Sequence, residues 1–249
     1  MARVVLTQPH PRIEGIGLAL GARGHDVLRL ALSRLEPRTP DDLADRIRAS
    51  HWVIAVSPAA VGFLFDALHD RWPGEAGLAM VGPGSKAALD TRHLIHAPPR
   101  VVTPAEPPWD AAALIAGEPF ASPAGLRCLV IRGDSGREDW IDRLREQGAG
   151  VAVISAYHRL LLDPSPDLIE RLHVWTSEPE PVAWVFTQAS TITRCRELLG
   201  ARFAGKVAGR HRALVVHPRI AAAAREAGFE SVAIVQPGID SLAVALESG

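Results

Sequence analysis

Residues 52–68, WVIAVSPAAVGFLFDAL, decide the fold. The first five are apolar without a break, and an apolar run of this kind reads as a strand buried on both faces, as in a parallel sheet. Ser57-Pro58 then turns the chain, and residues 60–68 carry a helical pattern.

The same unit recurs along the chain. Residues 4–6 end at Thr7-Gln8-Pro9 before a helical pattern over 13–23, and residues 78–81 end at Gly82-Pro83-Gly84-Ser85 before a short helix. Residues 128–131 end at Arg132-Gly133-Asp134-Ser135-Gly136 and lead to a helix over 138–147. Residues 184–186 end at Thr187-Gln188-Ala189-Ser190 before 192–199, and 214–216 end at His217-Pro218-Arg219 before 220–227. Gly24, Gly148 and Gly228 stand after helices as stop signals. Further strands over 26–30, 100–102, 151–154 and 231–235 bring the expected number to ten. The expectation is an α/β protein of two lobes, each a five-stranded parallel sheet flanked by helices in a flavodoxin-like arrangement.

Two passages are marked by proline, LEPRTP (35–40) and LDPSP (162–166), and each follows a long extended stretch. The economical reading has the chain leave lobe one near residue 35, build lobe two and return near 163. Lobe one then comprises 1–34 and 165–249, lobe two 38–160, and the stretches 27–38 and 155–166 pair as a two-stranded antiparallel ladder. The alternative is a sequential split near 119–125. In either case the working site is expected in the cleft between lobes, at the C-terminal ends of the strands.

Composition narrows the function classes. The 249 residues are 47% hydrophobic and 22% charged, as in a globular protein able to bury a core. A net charge of −1 provides no field toward nucleic acid or membrane. All but two of the 27 basic residues, Lys86 and Lys206, are Arg, which suits carboxylate recognition but equally reflects coding bias. Cys128 and Cys195 fall in predicted elements, so a reducing compartment is expected. The N-terminus reads as a strand rather than a signal peptide, and no apolar run reaches about 18 residues. The expected location is the cytoplasm.

Several motifs invite the wrong chemistry. GDSG (133–136) resembles a serine-protease nucleophile loop, but here it joins a strand to a helix. GPGSK (82–86) lacks the spacing of a phosphate loop, although a tight turn onto a helix N-terminus still suits an anion. No G-x-G-x-x-G follows a strand. The ten histidines are scattered, with His93 and His96 the only close pair, and neither has a partner at metal-ligand spacing. What the strand ends supply is Thr, Ser, Gly, Pro and backbone N–H groups, with an occasional Arg or His. That inventory grips anions and does not suggest nucleophilic catalysis.

In order and spacing these pieces resemble the uroporphyrinogen-III synthase family. The resemblance rests on VLTQP (5–9), WVIAVSPAAV (52–61), VGPGS (81–85), VIRGDSGRE (130–138) with AYHR (156–159), and WVFTQAS (184–190). HPRIA (217–221) before AGF (227–229) is similar to a bacterial form of the last motif, though many relatives carry a Thr pair where this chain has Arg219-Ile220. The resemblance implies two α/β lobes joined by a ladder. It also implies a cofactor-free cyclisation of hydroxymethylbilane, a linear tetrapyrrole with an acetate and a propionate on every ring. Water is lost from the hydroxymethyl group, a spiro intermediate forms at the last ring, and the macrocycle closes with that ring inverted. Because the bilane cyclises unaided to the uninverted isomer, the enzyme's task is chiefly positioning, together with a proton for the departing hydroxyl.

The resemblance places Tyr157, the only tyrosine, as the proton donor; the alternative is a ring packed at a strand end with its hydroxyl in solvent. It places Thr7, Ser57, Pro58, Gly82, Ser85, Gly133, Thr187, Gln188, Ser190 and His217 at the substrate, with N-capping an equally good reason for Thr187, Ser57 and Ser85. Arg132, Arg137, Arg159 and Arg219 are candidate carboxylate clamps. The partner is then a linear tetrapyrrole, with no metal, nucleic acid or membrane, and the protein a monomer. Two other classes remain: a non-catalytic cytosolic protein that senses a small anion, and a small glycosyltransferase.

Overall fold

The structure is a computed structural model that describes residues 1–134, 136–200, 203–236 and 238–247. Its first half runs β1 (Arg3–Leu6), α1 (Arg12–Ala22), β2 (Asp26–Arg29), β3 (Ser33–Pro37), α2 (Leu43–Arg48), β4 (Trp52–Ala55), α3 (Pro58–Ala67), β5 (Gly77–Met80), α4 (Pro83–Asp90), β6 (Val101–Val102) and α5 (Ala111–Ala116). The second half runs β7 (Arg127–Gly133), α6 (Asp139–Glu146), β8 (Gly150–Leu161), α7 (Pro166–Ser177), β9 (Val182–Phe186), α8 (Ala189–Leu199), a π-helical turn (Phe203–Ala208), β10 (Arg212–Val215), α9 (Pro218–Glu226), β11 (Ser231–Ile234) and α10 (Ile239–Glu247). No helix among the described residues is long and apolar enough to cross a membrane.

The chain divides into two compact units, Met1–Leu35 with Leu160–Gly249 and Glu36–Arg159. The passages between them fall inside β3 and β8. These two strands are neighbours in one sheet, and their bonds run antiparallel: the Arg38 N–H donates to the Ala156 carbonyl and the Leu162 N–H to the Leu32 carbonyl.

In unit 1 the sheet order is β11-β10-β9-β1-β2, and every pairing is parallel. Counted along the unit this is 2-1-3-4-5, the flavodoxin order. Alternate residues feed two cores. Val5, Trp184, Phe186 and Val215 pack on one face with Ile192, Cys195, Ala221 and Phe229. Val4, Leu6, Val185 and Leu214 pack on the other with Ile13 and Leu20 of α1 and Leu242 of α10. Burial on both sides is why central β9 is apolar at every position, and β1 and β10 after their first residue.

Unit 2 departs from the expected five strands in flavodoxin order. Its sheet has six, β3-β8-β7-β4-β5-β6, because residues 33–37 add antiparallel to a five-stranded parallel set. Counted along the unit the parallel set runs 3-2-1-4-5. Chain connectivity decides this order, and periodicity carries no trace of it. Among the described residues there are thus eleven strands, not ten. The proline-marked stretch 162–166 is also more than a connection, since Ser165 caps α7 by accepting from the Leu168 N–H and Pro166 opens the helix.

His211, buried just before β10, accepts a hydrogen bond at Nδ1 from the Val182 N–H at the start of β9, at 3.0 Å. Burial is the largest influence on this imidazole and holds its pKa below the ordinary 6.5. The unfolded chain therefore takes up a proton that the folded one refuses, so stability is full above about pH 6.5 and declines as the pH falls below it. A series of urea midpoints between about pH 5 and 8 is expected to show that decline. In His211→Asn, whose amide oxygen can still accept from Val182, the decline should be shallower.

Candidate active site

In open α/β sheets, ligands bind beyond the C-terminal ends of the strands, where the strand order reverses. Unit 2 reverses between β4 and β7, which places Ser57 and Pro58 beside Arg132 and Gly133. Ser57 caps α3, its Oγ accepting from the Ala60 N–H at 3.0 Å. The same Oγ lies 3.2 Å from the Tyr157 hydroxyl.

A bulge delivers the tyrosine. Arg132 pairs with Ser155, but Gly133 pairs with Tyr157, so β8 holds one extra residue at this point. The bulge breaks the alternation of β8, and Ala156 and Tyr157 are both buried in succession. Bulges re-aim side chains in this way, frequently next to active sites. Tyr157 stacks on Phe63 of α3, with ring centroids 5.1 Å apart, and lies flat against Gly133. A Cβ on Gly133 would stand 2.7 Å from Tyr157 Cε2, so only glycine leaves room for the ring. The tyrosine is buried as a whole, and its hydroxyl lies within hydrogen-bond distance of Ser57. Phe63 gave no sequence signal beyond its place on a helix.

The arginines separate by environment. Arg132 is largely buried and donates to Glu138 at 2.5 Å, while its Nε and Nη1 have no hydrogen-bond partner among the described residues. Arg137 is exposed and forms a two-pronged pair with Asp139. Arg159 is half-buried; burial lowers its pKa, against the opposing pull of Tyr157 and Asp134. Asp134 is itself disfavoured by burial, but the Arg159 N–H at 3.2 Å and the His158 ring at 3.3 Å outweigh that and hold its carboxyl below the usual range. Ser135 lies outside the described residues.

Beside β4, at the end of β5, Gly82 precedes α4 without any side-chain cap, and Ser85 is buried in the first turn. Trp109 packs on Gly82, where a Cβ would come within 2.6 Å of the tryptophan Cβ. Ser85 is therefore not the cap of its helix.

Unit 1 reverses between β1 and β9. Thr7 is buried and its hydroxyl donates to the Val185 carbonyl at 2.7 Å, so it ties the two central strands together and is already engaged. Thr187 and Gln188 stand at the end of β9, and Ser190 is exposed in the first turn of α8. The cap position of α8 belongs to Gln188 and has no side-chain hydrogen bond, so capping does not explain Thr187. Gln8, not singled out from the sequence, is buried at the end of β1, and its Oε1 has no hydrogen-bond partner among the described residues. His217, at the end of β10, caps α9 by accepting the Arg219 N–H at its own Nδ1, 3.1 Å away. Arg219 is exposed in the first turn of that helix. Among the described residues no group of three or more His, Cys, Asp or Glu could hold a metal ion.

The two units are of the doubly wound α/β class, with hydroxyls, amides and arginines gathered at the reversal points of their sheets. Residues 16–243 match the family model described as uroporphyrinogen-III synthase HemD. The chain belongs to the uroporphyrinogen-III synthase family. It is 26% identical over 241 residues to the uroporphyrinogen-III synthase of Escherichia coli K12, covering 93% of this chain and 94% of that protein. In fold it is similar to a mutant uroporphyrinogen III synthase from the extremely thermophilic bacterium Thermus thermophilus, with a TM-score of 0.60, 20% identity, and 100% and 98% of the two chains covered. It is also similar to the uroporphyrinogen-III synthetase of Helicobacter pylori 26695, with a TM-score of 0.58, 15% identity and full coverage of both chains.

Gly133→Ala is expected to displace the Tyr157 ring from Ser57 and to cost about 1–3 kcal/mol from overpacking. Because the chain has one tyrosine, tyrosine labelled at Cζ alone gives a single NMR signal, and that signal should shift in the variant. An unchanged signal would show that the contact with Gly133 does not set the ring's position.

Proposed function

We propose that this chain carries out the family's reaction, the cyclisation of hydroxymethylbilane to uroporphyrinogen III with inversion of the last ring, and that Tyr157 supplies the proton. The observation that supports Tyr157 is its fixed hydroxyl, 3.2 Å from Ser57 Oγ at the reversal point of the unit 2 sheet. A phenol O–H donates to the departing hydroxyl as the C–O bond breaks, and water leaves. Ser57 orients the phenol, since its own oxygen is anchored by the Ala60 N–H and by the start of α3.

The substituted carbon of the last ring then attacks to form the spiro intermediate. Reopening breaks the bond from that carbon to the methylene bridge of the third ring, the same methylene closes on the free α-carbon of the last ring, and the proton lost there restores the Tyr157 phenol. Atoms and electrons balance without an oxidant or reductant. The cationic intermediate is accommodated by the substrate's own carboxylates, so the protein's main contribution is to hold a flexible polyanion in one reactive shape. Arg132, with unpaired N–H groups, and the uncapped starts of α4 and α8 are the groups proposed to hold those carboxylates. Arg159, Gly82, Ser85, Thr187, Gln188 and Ser190 are proposed beside them. Thr7, Pro58 and His217 are proposed to shape the strand ends. Arg137, paired with Asp139, and Arg219 are proposed as further carboxylate contacts, each within its own unit. The free thiols of Cys128 and Cys195 support a reducing compartment such as the cytosol.

The test is to supply freshly made hydroxymethylbilane and resolve the product isomers. The type III isomer is expected well above the spontaneous rate, and formation of only the uninverted isomer would refute the proposal. Tyr157→Phe is expected to lower kcat by about 10²-fold with little change in KM. An unaltered kcat would remove Tyr157 as the proton donor.

A further inference from the structure

Arg29 is the last residue of β2, paired with Leu6 at the end of β1. Val27, two residues earlier, packs into the core under α1, and strand alternation turns Arg29 toward the same helix. A long cation at a position of this kind needs a gap in the helix, and α1 provides one. Gly17 is buried beneath the guanidinium, and a Cβ there would lie 2.2 Å from Arg29 Nε and 2.9 Å from Cζ.

Glu14, one turn earlier on α1, stands 3.5 Å from Arg29 Nε and also faces His10 at 3.8 Å. That ion pair aims the fork without occupying it. Arg29 Nε is buried with no hydrogen-bond partner, and neither Nη bonds to a described residue, while the side chain stays about one-third exposed. Most arginines with a carboxylate neighbour here are hydrogen-bonded to it. Arg23 with Asp240, Arg48 with Asp45, Arg92 with Asp66 and Asp70, and Arg145 with Asp142 are examples.

We propose that Arg29 is a specificity-determining residue that grips one carboxylate of the bilane at the C-terminal edge of the unit 1 sheet, held in place by Gly17 and Glu14. The proposal rests on the cyclisation proposed above. A planar fork carried on a strand end and backed by helix surface suits two-pronged recognition of a carboxylate. Neither Arg29 nor Gly17 was singled out from the sequence, because Arg29 sits inside a strand and Gly17 inside a helix.

The experiment measures KM and kcat of Arg29→Gln, Arg29→Lys and Gly17→Ala with hydroxymethylbilane and with bilanes in which each carboxylate in turn is an amide. Arg29→Gln is expected to raise KM about tenfold with kcat changed less than twofold. Arg29→Lys should fall between the two, because it keeps the charge and loses the fork. Gly17→Ala keeps every charge and adds a better helix former, so it should raise KM without lowering the thermal midpoint.

One amide bilane should cost the parent enzyme the same factor and cost Arg29→Gln nothing further. An unchanged KM in Arg29→Gln and Gly17→Ala, with the parent still producing the type III isomer, would overturn the role of Arg29 and leave the cyclisation intact. Equal additive losses across all the amide bilanes would overturn it as well. A parent that makes no type III isomer would overturn both.

Discussion

Both parallel sheets are buried on two faces, and that single constraint arranges the rest. A strand covered on both sides has no room for polar side chains along its length, so Trp52–Ala55 and Val182–Phe186 are apolar throughout. Chemistry can stand only where the strands stop. The Ser57 hydroxyl and the Gln188 amide follow strand ends, the fork of Arg132 is next to last in β7, and Tyr157 faces the end of β7 from the bulge within β8. Two of the helices that follow are opened by a side chain from the strand end. Ser57 caps α3 and holds the tyrosine, while His217 caps α9 with a ring nitrogen.

The sequence was legible where one residue determines one local event. Unbroken apolar runs marked the parallel strands, and Ser57-Pro58, Gly82-Pro83 and His217-Pro218 marked helix starts, because proline lacks the N–H that a first turn would leave unpaired. Ser165-Pro166 carries the same signal and opens α7, but amid several prolines it reads as a connection. The sixth strand of unit 2 and the 3-2-1-4-5 order were not legible. Both depend on which strand finds which neighbour, and no single residue encodes that choice.

The candidate site was legible in type more than in placement. Tyr157 stood out as the only tyrosine, yet the bulge that turns it onto Ser57 comes from one surplus residue in β8, visible only against the register of β7. Phe63 lay within a helical pattern, Gln8 at a strand end and Trp109 in no motif, and their contacts are tertiary. Gly133 stood in a misleading tetrapeptide and was expected at the substrate. Its physical role is the space its missing Cβ leaves for an aromatic ring.

The division of unit 1 between the two ends of the chain also sets a timetable. Thr7 and the Val185 carbonyl it bonds are 178 residues apart, so at ordinary rates of synthesis β1 emerges roughly 10–35 s before β9 exists to pair with it. Unit 2, made from one continuous segment, is fully synthesised in that interval. The first 35 residues must wait meanwhile, with the apolar edges of β1 and β2 uncovered. Unit 1 is therefore the later-born half, and the delay between its two parts is the chain's main exposure to misassembly at the ribosome.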